Sequence, residues 1–136
     1  MTKKINKDTK NKTKMKTPMR KMFSLRGKNI HLLRVKHART LGQRFMGLMG
    51  VSPEEHDYAL VFHLNDEDRV RASIHMLFMK MPIDVLFLDA QKKIVDSTTL
   101  KPWTWNYTPT HAAKYVVELP AHTLHVPKVR GKIVEW

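Results

Sequence analysis

The sequence predicts a mostly β, α+β domain: a small antiparallel β-barrel or sandwich of six to seven strands with one helix packed against it. Short apolar segments separated by turn residues recur along the chain, and only one segment has helical spacing. Strands do not alternate with helices, which argues against a parallel α/β fold. The most apolar stretch, residues 73–89, contains an uninterrupted hydrophobic run at 85–88 that is typical of a strand buried on both faces.

Six further strands are predicted, and turn residues mark their ends. Residues 65–68 form a predicted turn, residues 89–92 a hairpin turn, and residues 101–105 an aromatic loop. The predicted strands, including the buried one, span residues 30–36, 58–64, 70–79, 85–88, 94–99, 112–119 and 131–134.

The helix is predicted between residues 40 and 50, with its apolar stripe packed on the sheet. Thr40 is a suitable N-cap and Gly50 a suitable end. Gly47 weakens the helix, so we expect it to permit close approach to a strand. The stripe consists of Leu41, Phe45, Leu48 and Met49.

Charge divides the chain into two parts. Thirteen of the 25 Lys and Arg residues lie in the first 36 residues against one acid, Asp8, so +12 of the formal net charge of +13 is N-terminal. We therefore predict a basic tail, residues 1–28, and a single β-barrel domain, residues 29–136. The tail has almost nothing to bury, so we expect it to be disordered when free.

The tail has three candidate roles: a solubilising extension, an arm for polyanions such as RNA, the ribosome surface or DNA, and attraction to anionic lipid. RNA or the ribosome is the partner that we predict, and we expect no membrane span because no segment is apolar enough. The candidate nucleic-acid contacts are Lys3, Lys4, Lys7, Lys10, Lys12, Lys14, Lys16, Arg20 and Lys21.

Cysteine is absent from the sequence. This excludes disulfides, thiolate metal sites and cysteine nucleophiles. The N-terminus also lacks the apolar core of a secretory signal. We therefore predict a cytoplasmic protein, and we expect a monomer.

Polar residues embedded in the hydrophobic segments are candidates for a polar core or a pocket. Asp84 is the most unusual, because a buried carboxylate needs a cation or several N–H donors. Paired with Arg44 or His75 it could act in general acid-base chemistry, but we favour a structural ion pair. The candidate set is Arg44, His75, Asp84, Lys101, Trp103 and Glu118.

The aromatic loop has two interpretations. Trp103 beside Lys101 could form a stacking surface for bases or sugars, or Trp103 could close one end of the barrel as core, which we favour. The histidine and methionines of residues 75–81 resemble a copper(I) ligand set, but core packing explains them better. We predict no catalytic residue, no metal site and no cofactor.

Four motifs occur in order: R-x-x-G-L-M at 44–49, I-H-M-x-F-M-K-x-P-I-D-V-x-F-L-D at 74–89, K-P-W at 101–103 and A-x-Y-V-V-E-L-P at 113–120. With Gly131 before a terminal strand, they resemble domain of unknown function family 192, also called uncharacterised protein family 0127. The resemblance covers about residues 30–136. It implies a one-helix β-barrel of the leaderless cytosolic type, and the family has no established catalytic residue that could be carried over to this chain.

From the charge distribution we predict a non-enzymatic binding module that associates with RNA or the ribosome through its tail. One alternative is a β-barrel that binds a small polar or carbohydrate ligand at its open end, beside Lys101 and Trp103. Another is a hydrolase of unknown substrate, although the sequence shows no nucleophile, metal site or phosphate loop.

Overall fold

The computed structural model describes residues 22–26 and 28–136. Within that part of the chain, seven strands and one α-helix confirm the predicted mostly β class. Two short 3-10 helices, Pro53–Glu55 and Val126–Lys128, complete the elements. The strands and the helix are β1 (Met22–Leu25), β2 (Lys28–Ala38), α1 (Leu41–Met46), β3 (Tyr58–Asp68), β4 (Ile83–Leu88), β5 (Ile94–Leu100), β6 (Ala113–Pro120) and β7 (Val134–Glu135).

The strands form one mixed sheet in the order β5-β4-β6-β3-β2-β1-β7. β2 and β3 pair in parallel, so the prediction of a purely antiparallel sheet is wrong at this pair. Parallel neighbours need a long crossover, and residues 39–57, which include α1, supply it. The sheet curls until its edges meet at Ile94, whose N–H donates to the carbonyl of Lys132 over 2.8 Å. This bridge is short, and the described sheet does not close into a continuous barrel.

Both faces of the sheet are buried, which is clearest at β4, where every residue is buried as the hydrophobic run predicts. The side bearing Val85, here called the helix face, is covered by Leu48 and by residues 72–81. The opposite side, here called the C-terminal face, bears Leu86 and is covered by residues 124–134. Each face therefore has its own hydrophobic core.

The helix begins as predicted and ends earlier. The side chain of Thr40 accepts from the N–H of Gln43 over 3.1 Å, and the Gln43 side chain accepts in return from the N–H of Thr40 over 3.2 Å. This reciprocal capping box fixes the first turn. Gly47 at a φ of 43° ends the helix, so the prediction of Gly50 is wrong. A Cβ at Gly47 would lie 3.3 Å from Cζ of Phe62 on β3, which confirms the predicted close approach.

The apolar stripe of the helix is not buried as predicted. Leu41 is 76% exposed and Phe45 65% exposed, whereas Leu48, beyond the end of the helix, is 2% exposed. Helical spacing identifies an apolar face but does not show what lies opposite it. Here the helix faces an open cleft, and only the residues after it reach the core.

Residues 70–79 form a loop, so the predicted strand is wrong. Ile74 alone makes an isolated bridge, with Tyr107. The carbonyl of Met76 accepts from the N–H of Trp103 over 2.8 Å, so this backbone pairs with the aromatic loop and not with the sheet. The alternating apolar pattern reflects separate turns packing on the helix face.

The two predicted turns have different outcomes. β3 continues to Asp68, so the turn at residues 65–68 is wrong. The hairpin turn at residues 89–92 is confirmed, because Asp89 Oδ1 accepts from the N–H groups of Gln91 and Lys93, each over 2.9 Å. The longer β3 is accommodated by a break in its pairing with β6.

The folded part begins before the predicted boundary at residue 29, because β1 pairs with both β2 and β7. The predicted disorder of the tail and its cationic contacts at residues 3–21 lie outside the described residues. In the described ranges, no helix is long and apolar enough to span a membrane.

Candidate functional site: a cleft beside the helix

A cleft of about 510 Å³ lies between α1 and the loop at residues 71–75, and side chains of β3 and β6 form its base. Its walls combine apolar and polar side chains in comparable proportion. Phe45 of α1 stands on one side, with its ring centroid 6.1 Å from that of His75 on the other. The capping box at Thr40 and the close approach at Gly47 fix α1 at both ends, so the cleft has a defined shape.

Three polar atoms at this cleft are buried without a hydrogen-bond partner among the described residues: Nε of Arg44, Nδ1 of His75 and Oε2 of Glu118. Arg44 and His75 line both the main cleft and a smaller recess of about 60 Å³, which Glu118 also lines. An unsatisfied buried polar group costs about 1–3 kcal/mol, so native structures contain few of them. Three at one place mark a polar site that water or a polar ligand can occupy.

Glu118 lies at the base of the recess. It occupies β6 between Leu60 of β3 and Val85 of β4, on the helix face. Its side chain is 5% exposed, and burial raises its pKa to about 8. Glu118 is therefore mainly a neutral carboxylic acid at pH 7, able both to donate and to accept a hydrogen bond.

With Glu118 neutral, the cleft carries positive charge. Arg44 and Arg71 both line it. Arg71 has one weak, exposed contact, Nη1 to Oδ2 of Asp66 at 3.9 Å, and exposed pairs of this kind contribute little. The electrostatic character of the cleft therefore favours an anionic group.

Three of the predicted site residues, Arg44, His75 and Glu118, are thus brought together, and Asp84 is not. Asp84 lies on the C-terminal face of β4, fully buried, and no cation lies within ion-pair distance of it in the described part of the chain. Its Oδ1 accepts from Oγ1 of Thr99 over 2.8 Å, and its Oδ2 from the N–H of Leu124 over 3.3 Å. The pairing considered with Arg44 or His75 is wrong, because the sheet separates them.

Lys101 and Trp103 also lie outside the cleft. Trp103 is 60% exposed, so the interpretation of this residue as barrel core is wrong. Its ring packs against that of Phe78, with centroids 5.2 Å apart. The predicted ligand site beside these two residues has no counterpart in the cleft, which opens at α1.

Sequence reasoning missed part of the site. Arg71 and Phe45 line the cleft. Phe45 was assigned to the core because apolar spacing does not show whether a cavity or another element lies opposite the helix. His56, which lies outside the cleft, was not singled out either: it is buried, and burial lowers its pKa. Its ring centroid lies 5.1 Å from that of Tyr58, away from the cleft.

The methionines contribute to the core and not to a ligand cluster. Met76, Met79 and Met81 are each at most 6% exposed and share the helix-face core, which confirms the packing interpretation. No group of three or more His, Cys, Asp or Glu that could hold a metal ion occurs in the described ranges.

The fold and the site together define a class: a small, curled mixed β-sheet domain with a helix-walled, cationic cleft. The chain belongs to the DUF192 family, described as "Uncharacterized ACR", whose model matches residues 23–134. This confirms the resemblance seen in the motifs.

Relatives extend the comparison. A UPF0127 protein of Pyrococcus furiosus is 43% identical over 112 residues, which cover 82% of this chain and 92% of that protein. A UPF0127 protein of Thermococcus kodakarensis is 44% identical over 104 residues, 76% of this chain and 64% of the relative. The crystal structure of a protein of unknown function from Novosphingobium aromaticivorans has a TM-score of 0.73 at 20% identity, covering 85% of this chain and 84% of that one. The structural likeness shows the fold alone.

Proposed function

We propose that the folded domain is a binding module for a small organic anion with an apolar body, held in the cleft beside α1. The observation that carries this proposal is the convergence of three unpartnered buried polar atoms, on Arg44, His75 and Glu118, at one cavity. The proposed ligand class is similar to the small polar ligand considered from the sequence. The proposed site differs, because it lies beside α1 and not at the aromatic loop.

The size and lining of the cleft support a small molecule. Its volume of about 510 Å³ falls within the roughly 300–1,000 Å³ of ligand pockets. Phe45, Phe62 and Ile74 would contact the apolar body, while Arg44 would bind the anionic group. A guanidinium matches a carboxylate with two parallel hydrogen bonds, which makes a carboxylate the best fit.

The recess adds specificity. His75 Nδ1 and the Glu118 carboxylic acid offer a donor and an acceptor to a polar substituent next to the anionic group. A ligand lacking that substituent would leave both groups buried and unsatisfied, which costs about 1–3 kcal/mol for each. We therefore infer a preference for carboxylates with a neighbouring hydroxyl, carbonyl or amide group.

Replacing Arg44 with glutamine is expected to weaken carboxylate binding. We expect the wild-type protein to bind phenylacetate and mandelate more tightly than uncharged phenylacetamide, and Arg44→Gln to lower affinity for both carboxylates by about tenfold, since a charge-assisted hydrogen bond contributes about 1.5–3 kcal/mol. Isothermal titration calorimetry measures these affinities.

The matched control is Arg26→Gln. Arg26 is exposed, pairs with Glu135 over 2.8 Å and does not line the cleft, so carboxylate affinity should not change. Equal affinity of the wild-type protein for phenylacetate and phenylacetamide, or an Arg44→Gln variant that binds both carboxylates as tightly as wild type, would contradict the proposal.

We propose as a second function that the N-terminal segment associates with RNA, including ribosomal RNA. The supporting observation is the concentration of +12 of the net charge of +13 in the first 36 residues. Such a segment binds phosphates without reading sequence. We also propose a cytoplasmic location, which is compatible with RNA as the partner and with the absence of cysteine.

Neutralising the tail is expected to reduce the salt dependence of RNA binding. If the tail contacts about six phosphates of single-stranded RNA, log Kobs should fall with log salt at a slope of about −4. Glutamine at every Lys and Arg of residues 3–21 in the full-length chain should make that slope much shallower, measured by filter binding from 50 to 300 mM KCl.

Exchanging Lys and Arg for one another at the same positions is the control, because it retains the charge and should retain the slope. A glutamine variant with the wild-type slope would overturn the tail as the contact.

A further inference from the structure

Two exposed aromatic side chains, Phe78 and Trp103, form a surface that the cleft does not use. They are 59% and 60% exposed, and Trp105, two residues further on, is 78% exposed. The rings of Phe78 and Trp103 meet at 62°, with centroids 5.2 Å apart. An edge-to-face pair uses at most one face of one ring, so other ring faces remain open to a partner. We call Phe78 and Trp103 the aromatic platform.

The backbone of the platform is held in an unfavourable conformation. Phe78 has a φ of 60° and Trp103 a φ of 66°, a region that bulky residues rarely adopt and that costs about 1–3 kcal/mol at each position. Hydrogen bonds fix the two loops: the N–H of Trp103 donates to the carbonyl of Met76 over 2.8 Å, and the N–H of Gly50 to that of Phe78 over 3.4 Å.

This conformation brings neither ring into the core, since both remain exposed. Backbone strain that no burial offsets is typical of residues presented for recognition. The charge of the neighbouring residues indicates which kind of partner could cover the platform.

The surroundings of the platform favour a polyanion. Residues 69–83 and 97–112 contain no Asp or Glu. Two copies of the chain packed through this surface would bring the same cations face to face, which disfavours self-association. Single-stranded nucleic acid complements the exposed rings with its flat bases and the nearby cations with its phosphates. The exposed cations nearest to the platform along the chain are Lys80 and Lys101, which lie two residues from Phe78 and from Trp103 respectively.

We infer that the aromatic platform of Phe78 and Trp103 stacks the bases of single-stranded RNA. This inference rests on the proposed association with RNA and adds to it a second contact, on the folded domain, that recognises unpaired bases and not phosphates. The tail would supply affinity that depends on salt, and the platform would supply a preference for single strands over duplexes.

The test compares decauridylate with an abasic ribose-phosphate decamer of the same charge, by fluorescence anisotropy on the full-length protein. The variant is Phe78→Asn with Trp103→Asn, because asparagine tolerates positive φ and removes the rings without adding strain. Each stacked base contributes about 1–3 kcal/mol, so we expect at least tenfold weaker binding of decauridylate, unchanged binding of the abasic decamer and an unchanged salt slope.

Two controls keep the result specific. Val70→Asn changes another apolar residue, 75% exposed, and should leave decauridylate affinity unchanged. Trp103→Phe keeps an aromatic ring and should retain most of the affinity. Thermal unfolding of each variant verifies the fold.

The outcomes separate this inference from the tail proposal. Decauridylate affinity that is unchanged in the double Asn variant, while tail neutralisation still flattens the salt slope, overturns the platform and leaves the tail. If the double Asn variant loses as much affinity for the abasic decamer as for decauridylate, base stacking is also overturned. Binding of cellohexaose that requires both rings, with no response to decauridylate, would assign the surface to sugars and overturn the inference.

Discussion

Replacing Glu118 with glutamine is expected to stabilise the protein at alkaline pH and to leave its stability at pH 5 nearly unchanged. Burial raises the pKa of Glu118 from its ordinary value of 4.5 to about 8. The native state therefore holds a proton that the unfolded state has already released between these values. The contribution of Glu118 to the free energy of unfolding is complete below pH 4.5 and is lost as pH rises through 8.

The magnitude follows from the same difference. At about 1.4 kcal/mol for each pKa unit, the wild-type protein should lose up to about 5 kcal/mol of stability between pH 4.5 and 8 through this group. Glutamine has a similar shape and never ionises, so the variant lacks this loss. The difference in unfolding free energy between variant and wild type should grow from within about 1 kcal/mol at pH 5 to several kcal/mol at pH 9.

Urea unfolding at intervals from pH 5 to 9 measures that difference. Glu54→Gln, at an exposed position, is the matched control and should differ from wild type by a small, constant amount. If the stability curves of Glu118→Gln and wild type run parallel over this range, Glu118 is ionised in the native state. That result would contradict a neutral carboxylic acid at the bottom of the recess.

Replacing Asp84 with alanine is expected to destabilise the protein by about 2–4 kcal/mol. The carboxylate joins β4 to Thr99 of β5 and to the N–H of Leu124 in the segment that covers the C-terminal face. Alanine would leave the N–H of Leu124 buried without an acceptor, would remove the acceptor of Thr99 Oγ1, and would remove packed atoms. Thermal unfolding should show a loss of about 10 °C.

Two comparisons separate structure from binding. Asp84→Asn keeps one acceptor oxygen and should lose less stability than the alanine variant, while Asp66→Ala, on the exposed part of β3, should lose little. Asp84 lies on the face opposite the cleft, so a folded Asp84→Ala protein should bind mandelate as wild type does. Lost carboxylate binding with an unchanged unfolding temperature would assign Asp84 to the site instead.

Local features of the sequence account for the elements that were predicted well. The run at residues 85–88 is apolar on both parities, and the resulting strand is buried on both faces. Thr40 and the hairpin at residues 89–92 act through hydrogen bonds to their own neighbours in the chain. Because the partners in these interactions are only a few residues apart, short sequence patterns are enough to predict them.

The errors have a common cause in partners that lie far away in the chain. Residues 70–79 alternate as a strand would, yet Met76 pairs with the loop at Trp103. Phe45 has helical spacing from Leu41, yet both side chains face a cleft. Periodicity predicts which side of an element is apolar, while its neighbour is set by the packing of the whole domain.

The sequence by itself determined the mostly β class, the family, the buried fourth strand and the separation of charge between the tail and the domain. Only the tertiary structure decided that Arg44, His75 and Glu118 meet at one cavity while Asp84 lies on the other side of the sheet. The physical reason is that strand parity fixes the face of a residue only relative to its own strand. Which faces meet, and where a void remains between them, depends on the pairing and curvature of all seven strands together.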